Sequence, residues 1–303
     1  MTKVPGDVKQ TEPSAPAFTW SQLLRITQAG APPDVAPLEA ELLLAHVLGR
    51  NRAGLYARLG DAADPEIAAR FGALWQRRCA GEPYAYLVGT REFHGREFLV
   101  SPDVLIPRGD TETLLEVALR CWPAGQGGVV VDAGTGSGAL AISFQLERPQ
   151  AWVCAVDASA RALALARSNA RRLGAPVSFW CGDWVSALVD CSLDLLLSNP
   201  PYLADDDPHL PGLLASGEPR SALVADMAGL GDLLRIAQAG RRVLRPGAWL
   251  WLEHGWRQGA AVRAMLEALG YAEVCTESDL GGNERVSGGR AVPGCRSSPG
   301  PCR

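Results

Sequence analysis

Four consecutive residues, Asn199-Pro200-Pro201-Tyr202, close the apolar run Leu193-Asp194-Leu195-Leu196-Leu197-Ser198 and are suited to holding a flat amide or amino group. Two prolines fix φ at successive positions and restrict Asn199 to an extended conformation, making a rigid stub whose oxygens project from a strand end. A planar amide or amino group offers two N–H donors. The Asn199 side-chain oxygen and the Pro200 carbonyl are two acceptors to match them. Tyr202 is expected to stack on the flat face of such a group. A proline-terminated strand would account for Pro200 and Pro201, but not for an Asn and an aromatic on either side of them.

A second constellation is Asp132-Ala133-Gly134-Thr135-Gly136-Ser137-Gly138. It follows the apolar run Val129-Val130-Val131 and opens a helical pattern, the setting in which glycines let the backbone pass close to a bound nucleotide. Asp157 lies 19 residues beyond Gly138, at the end of the next strand, where a carboxylate can accept both ribose hydroxyls of an adenosine. Nicotinamide and adenosylmethionine enzymes share these features, and Gly134, Gly136 and Ala139 formally satisfy the dinucleotide fingerprint as well. Asp132 tilts the choice toward adenosylmethionine, which carries an ammonium and a sulfonium and no pyrophosphate for an acid to repel. Gly182-Asp183-Trp184, after the third strand, adds an acid and an aromatic that can hydrogen-bond and cover an adenine.

The elements that must position these residues follow from periodicity. Between Phe18 and Ala80, apolar residues recur at three- and four-residue spacing in the stripes Leu23, Leu24, Ile26, then Leu38, Leu42, Leu43, His46, Val47, then Ile67, Phe71, Leu74, Trp75, which predicts a small helical domain. From Tyr84 to Val100, short aromatic and β-branched runs broken by Gly89 and Gly95 predict a β-hairpin. A helix is expected to start near Asp110, with that residue as its N-cap. Beyond Gly128, strand and helix signals alternate: strands at Val129–Val131, Trp152–Val156, Val177–Trp180, Leu193–Leu197 and Ala248–Leu252, and helices at Ala139–Leu146 and Ala160–Leu173. Alternation of this kind predicts a parallel sheet with helices on both faces, and ligands at the carboxyl ends of its strands.

Composition bounds the answer. A chain of 303 residues with 47% hydrophobic and 20% charged residues can bury a substantial core and has room for two domains. The formal net charge of −4 argues against a polyphosphate partner held by bulk charge. The first 17 residues contain no apolar segment of the kind a secretory leader needs, and no run approaches a transmembrane helix. Eight cysteines without a Cys-x-x-Cys pair and four scattered histidines point to reduced thiols and to no metal site.

The region around the tetrapeptide resembles the class I adenosylmethionine-dependent methyltransferases, whose Asn-Pro-Pro-Tyr motif is typical of members that methylate amide or exocyclic nitrogen. It is similar, more closely, to the HemK-type protein-(glutamine-N5) methyltransferases that modify peptide chain release factors, over nearly the whole chain to about Arg290. Glu82 to Gly89 and Arg91 to Gly95 look like that family's interdomain hairpin. Leu105-Ile106-Pro107-Arg108-Gly109-Asp110-Thr111-Glu112 looks like its substrate-side segment, with Gly109 where the family commonly has proline. Glu253-His254-Gly255 with Gln258, and Asp279 through Arg285 to Arg290, are similar to its last shared stretches.

The resemblance implies a Rossmann-like α/β sheet with a small helical N-terminal domain joined by a β-hairpin. Its boundaries are a flexible N-terminus at 1–17, a helical substrate-recognition domain at 18–83, a hairpin linker at 84–102, a methyltransferase domain at 103–290 and a disordered tail at 291–303. It implies S-adenosylmethionine bound by Asp132, Gly134, Thr135, Gly136, Ser137, Gly138, Asp157, Asp183, Trp184 and Asn199. Asn199, Pro200 and Tyr202 would be catalytic, and Asn199, Pro200, Pro201, Tyr202, Arg108 and Thr111 would hold substrate. That substrate would be the glutamine of the Gly-Gly-Gln tip of class I release factors. A cytoplasmic monomer without direct nucleic-acid or membrane contact is expected. The alternatives are a ribosomal-protein glutamine methyltransferase, which shares the motifs, and an adenine-N6 nucleic-acid methyltransferase acting on a flipped base, which would call for a basic face.

Overall fold

Residues 18–293 are described by the computed structural model, in two units that meet in sequence between Val88 and Gly89. The expected features of residues 1–17 and 294–303 lie outside the described residues. The first unit is helical because its apolar stripes start behind good caps. Helix α1 (Trp20–Ala29) carries a capping box in which Thr19 and Gln22 satisfy each other's backbone N–H groups. Helix α2 (Pro37–Val47) starts on proline, α3 (Arg52–Tyr56) is capped by Asn51, and α4 (Pro65–Cys79) is capped by Asp64, which accepts from the N–H groups of Glu66 and Ile67. Trp20, Leu24, Leu43, Leu44, Leu55, Phe71 and Trp75 form its core. Ile26, Leu38 and His46, counted in the stripes from sequence, face outward.

The predicted hairpin begins later than expected. Tyr84–Val88 is a fifth helix, α5, which buries Leu87 in the helical core. The hairpin proper is β1 (Thr90–Phe93) with β2 (Arg96–Leu99), joined at His94-Gly95 with φ of 49° and 71°. Two left-handed residues in a two-residue loop match the twist of the strands they join.

In the second unit, β3 (Gly128–Ala133), β4 (Ala151–Asp157), β5 (Ser178–Cys181), β6 (Leu193–Ser198), β7 (Leu244–Glu253), β8 (Ala272–Ser278) and β9 (Glu284–Arg290) form one sheet in the order β5-β4-β3-β6-β7-β9-β8. The first five are parallel, but β9 runs antiparallel to both β7 and β8, so the sheet is mixed and not wholly parallel as expected. Strand β9 carries Gly288-Gly289. A Cβ on Gly288 would lie 2.2 Å from the Trp251 ring, so glycine is there for close packing. Strand β7 is longer than the expected Ala248–Leu252 and takes in Pro246-Gly247. Ala291, expected to open the disordered tail, is buried and exchanges backbone hydrogen bonds with Gly247 and Ala248.

Helices α6 (Asp110–Cys121), α7 (Ala139–Glu147), α8 (Ala160–Leu173), α9 (Leu210–Ala215), α10 (Asp226–Gly229), α11 (Gly231–Val243) and α12 (Gly259–Ala268) complete the unit. Strand side chains alternate between two cores, as the two-residue period requires. Val130, Leu195 and Leu197 meet Leu114, Leu115, Ile142 and Phe144 on one face. Val131, Leu196, Leu250 and Leu252 meet Leu233, Ile236, Val262 and Leu266 on the other. Asp110 is the first residue of α6 and not its N-cap; Gly109 precedes it, and the Asp110 carboxylate pairs with Arg285 at 3.1 Å. Because β3 sends its successors to one side and β6 and β7 lie on the other, the switch point of the sheet falls between β3 and β6.

Candidate active site

The glycine loop leaves the end of β3 and Asn199 leaves the end of β6, and the two face one cavity of about 460 Å³ at the switch point. Asp132, Gly134, Thr135, Gly136, Ser137, Asp157, Asp183, Trp184, Asn199, Pro201, Arg108 and Thr111 all line it. Gly138, Pro200 and Tyr202 do not. Gly138, with φ 83°, is the N-cap of α7, where a Cβ would meet Ile142 at 2.8 Å. Pro200 is buried. Tyr202 is partly buried against the second core, and its hydroxyl donates to Glu253 Oε1 at 3.4 Å.

On the glycine side the backbone is held taut. The N–H groups of Gly134 and Thr135 both donate to the Val156 carbonyl, at 2.8 and 2.9 Å. Gly134 has φ 79°, and a Cβ there would come within 2.9 Å of the Trp184 ring, which closes this wall. Asp157 Oδ2 accepts from Gly136 N–H at 2.9 Å and Oδ1 from Ser159 N–H at 2.8 Å. Each oxygen keeps a lone pair for a ligand hydroxyl. Asp132 is buried and accepts from the Thr135 hydroxyl at 2.6 Å. Burial pushes its pKa up to about 7, and the nearby Asp157 charge adds to the rise, against hydrogen bonds from Thr135 and the Ala141 backbone. A buried acid at the wall of a cavity suits a cationic ligand group.

On the tetrapeptide side the holding is done by side chains. Ser198 donates to the Ala133 carbonyl at 2.6 Å, tying the ends of β6 and β3 together. Asn199 Nδ2 donates to Thr111 Oγ1 at 3.0 Å. With one N–H directed at Thr111, the amide oxygen is left to offer as an acceptor. Arg108 pairs with Glu218, a buried residue that also accepts from the Ile106 N–H at 3.2 Å. Behind Thr111 lies Glu253, fully buried; burial pushes its carboxyl up to about 7, against the Thr111 hydroxyl and the Arg285 charge. His254 is held neutral by burial, with Nε2 against the Ser287 hydroxyl at 2.8 Å.

Sequence reasoning had no role for Glu218, or for Asn169, whose buried side chain spans Ser137 and both backbone groups of Leu99. Each is a lone polar residue whose partners lie far away in sequence, so nothing local marks it. Among the described residues, no group of three or more His, Cys, Asp or Glu could hold a metal ion.

An open α/β sheet that gathers a glycine loop, a ribose-ready carboxylate and an amide acceptor at its switch point has the architecture of a methyltransferase. The methyltransferase small domain family matches residues 110–210. The fold is shared with a crystal structure of a methyltransferase from Pyrococcus furiosus, at a TM-score of 0.50 and 17% identity, covering 76% of this chain and 100% of that one. By class the chain is thus an S-adenosylmethionine-dependent methyltransferase.

The particular family follows from closer relatives. The PrmC N-terminal domain family matches residues 24–89. The release factor glutamine methyltransferase of Bordetella pertussis is 50% identical over 261 residues, covering 86% of this chain and 96% of that protein. The protein of the same name from Burkholderia pseudomallei is 45% identical over 291 residues, covering 94% and 99%, and that from Escherichia coli 43% over 253 residues, covering 83% and 91%. This chain belongs to the release factor glutamine methyltransferase family.

Proposed function

We infer that the protein transfers a methyl group from S-adenosylmethionine to the side-chain amide nitrogen, N5, of the glutamine in the Gly-Gly-Gln motif of class I release factors. The observation that supports this most directly is the Asn199 amide, whose nitrogen is engaged by Thr111 so that its oxygen is the acceptor left for a substrate N–H. S-adenosylmethionine, when bound, supplies an electrophilic methyl on a sulfonium that leaves as a neutral thioether, so no general acid is needed. The residues that hold it in this reading are the glycine loop from Gly134 to Gly138, Asp132 toward its ammonium, Asp157 toward the ribose, and Asp183 and Trp184 toward the adenine.

An amide nitrogen is a poor nucleophile because its lone pair is delocalised. Hydrogen bonds from its N–H groups to the Asn199 side chain and the Pro200 carbonyl raise its electron density and hold it in line, so positioning and electrostatics carry the rate. Pro201 and Arg108 shape the pocket, and the proton lost from nitrogen passes to water. The helical unit is assigned to recognition of the release factor, the protein acts as a cytoplasmic monomer, and nucleic acid is not contacted directly. The net charge of −4 supports the last point.

Labelled S-adenosylmethionine offered together with purified release factor, ribosomal proteins and DNA tests the assignment. Label is expected on the Gly-Gly-Gln glutamine. Label on a ribosomal protein or on adenine, with none on release factor, would overturn it.

A further inference from the structure

We infer that Glu218 is a positioning residue for the substrate: it holds the Arg108 guanidinium at the cavity wall so that its unspent N–H groups meet main-chain carbonyls of the Gly-Gly-Gln tip. The inference rests on that tip being the substrate, as set out above.

Glu218 belongs to the long excursion of the chain between β6 and α11. Backbone bonds close the ends of that excursion, from the Leu203 N–H to the Leu223 carbonyl at 2.9 Å and from the Ala225 N–H to the Leu203 carbonyl at 3.0 Å. Gly217, with φ 84°, bends the chain after α9, and Pro219 restricts Glu218 to an extended backbone. The Glu218 side chain is only 1% exposed. One carboxylate oxygen accepts from the Ile106 N–H at 3.2 Å and the other from Arg108 Nη2, across 112 and 110 residues of chain. Two stretches of the cavity wall, one ending at Arg108 and the other starting at Pro219, are joined in this way.

Joining them does not require a charge. A glutamine would take the Ile106 N–H equally well, and a buried carboxylate is costly to desolvate unless a cation meets it. Arg108 is that cation, and its side chain, 38% exposed, stays at the cavity wall. A guanidinium carries five N–H donors in one rigid plane. Glu218 receives a donor from Nη2, and the Arg108 side chain makes no other hydrogen bond among the described residues. Fixing one edge of a rigid plane fixes the direction of the donors that remain.

What those donors meet follows from the substrate. Two glycines present no side chain, so their positions can be read only through the main chain. Asn199 Oδ1 and the Pro200 carbonyl are acceptors, matched to the glutamine N–H groups, which leaves the main-chain carbonyls of the tip in need of donors. Arg108 precedes by three residues Thr111, the partner of Asn199, and so belongs to the side of the cavity where the glutamine is held. A guanidinium of fixed direction suits charge-assisted hydrogen bonds to such carbonyls.

The test measures kcat and KM for release factor, the Kd of S-adenosylmethionine and the thermal midpoint in Glu218→Gln, Arg108→Met and the pair. Glu218→Gln keeps an acceptor for the Ile106 N–H and removes the charge that holds Arg108. It is expected to raise KM roughly tenfold with a smaller change in kcat, because a contact to the main chain of the tip holds ground state and transition state alike. The Kd of S-adenosylmethionine should stay within about twofold of the parent, since the guanidinium is assigned to substrate and not to cofactor. Arg108→Met should raise KM at least as far. In its background Glu218→Gln should raise KM no further, where independent roles would multiply.

Parental KM in Glu218→Gln, or losses that multiply in the pair, would overturn the inference. So would a weakened cofactor Kd with parental KM, which would give the guanidinium to the cofactor's carboxylate. A lowered thermal midpoint with KM, kcat and cofactor Kd all impaired alike would overturn it too, since that is the behaviour of a staple without a direction to impose. Should Glu218→Gln not fold, parental KM in Arg108→Met overturns it equally. A parent enzyme that leaves the Gly-Gly-Gln glutamine unlabelled would instead remove the substrate assignment itself, an outcome separable from the others.

Discussion

On the glycine-loop shore of the cavity the chain is held by its own backbone: two N–H groups on the Val156 carbonyl, left-handed glycines, and a carboxylate, Asp157, that receives two further N–H groups. On the Asn199 shore the holding is done by side chains reaching from other elements: Ser198 to Ala133, Thr111 to Asn199, and Glu253 behind both. Each shore contains one buried acid raised to about 7, Asp132 on the first and Glu253 on the second. Asp132 lines the cavity, where the proposed reading sets it against a ligand's charge. Glu253 lies behind the wall. Backbone construction gives a surface tolerant of outer residues but intolerant of side chains at the loop itself. Side-chain construction gives directional acceptors that single substitutions can undo.

If that contrast is right, the largest effect belongs to Asn199. Asn199→Ala should lose catalysis by roughly 10²-fold or more while cofactor affinity changes far less, since alignment and electrostatics are each worth a few kcal/mol. Asn199→Asp keeps an oxygen but adds a charge that favours the sulfonium ground state, so it too should be slow, with cofactor bound as tightly or more so. Single-turnover rates beside titration calorimetry make the comparison. A near-parental rate in Asn199→Ala with normal cofactor binding would reduce the tetrapeptide to a strand terminator.

The two shores also differ in how much the sequence discloses. The glycine loop and Asn199-Pro200-Pro201-Tyr202 are legible because each is a contiguous run whose residue types are forced by backbone geometry. The direction of the Asn199 amide is not legible, since it depends on Thr111, which lies 88 residues away in the chain. The Tyr202 hydroxyl partner is not legible either: an aromatic after two prolines suggests a stacking surface, and nothing local points to Glu253. In the fold, the five parallel strands follow from their apolar runs. The antiparallel pair β8 and β9 does not, because β8 is only partly buried and β9 carries glycines selected by the Trp251 ring. Helix α5 escapes because its aromatic residues satisfy strand and helix patterns equally until the helical core claims Leu87.

A middle-sized effect is expected at Asp157. Asp157→Ala removes the acceptor for the Gly136 and Ser159 N–H groups as well as the ribose partner. Cofactor affinity should fall by about 1–3 kcal/mol, the cost of leaving partly buried groups unpaired, and the thermal midpoint of the free protein should fall with it. A loss of affinity with an unchanged midpoint would show that the ligand, and not the loop, depends on this carboxylate.

The smallest and most discriminating effect concerns pH and Asp132. Its pKa in the free protein is raised to about 7 because burial disfavours the charged form. A raised acid binds its proton more tightly folded than unfolded, so its contribution to stability is greatest below the ordinary carboxylate pKa and is lost as pH rises through about 7. A cationic ligand group beside it reverses that preference, because the ammonium favours the ionised carboxylate. Binding below about 7 must then expel a proton, and affinity should weaken by up to about tenfold for each pH unit lowered. Asp132→Asn carries no such proton: its affinity should be lower than the parent's at pH 8, near it at pH 6, and lack the Asp132-dependent slope between. The free variant should also gain stability relative to the parent as pH rises from 5 to 8. Calorimetric titrations with S-adenosylmethionine at pH 6, 7 and 8 supply the slopes. Equal slopes in parent and Asp132→Asn would mean that the acid supports Thr135 alone and that the ligand's ammonium is held elsewhere, leaving Asp132 a purely structural acid.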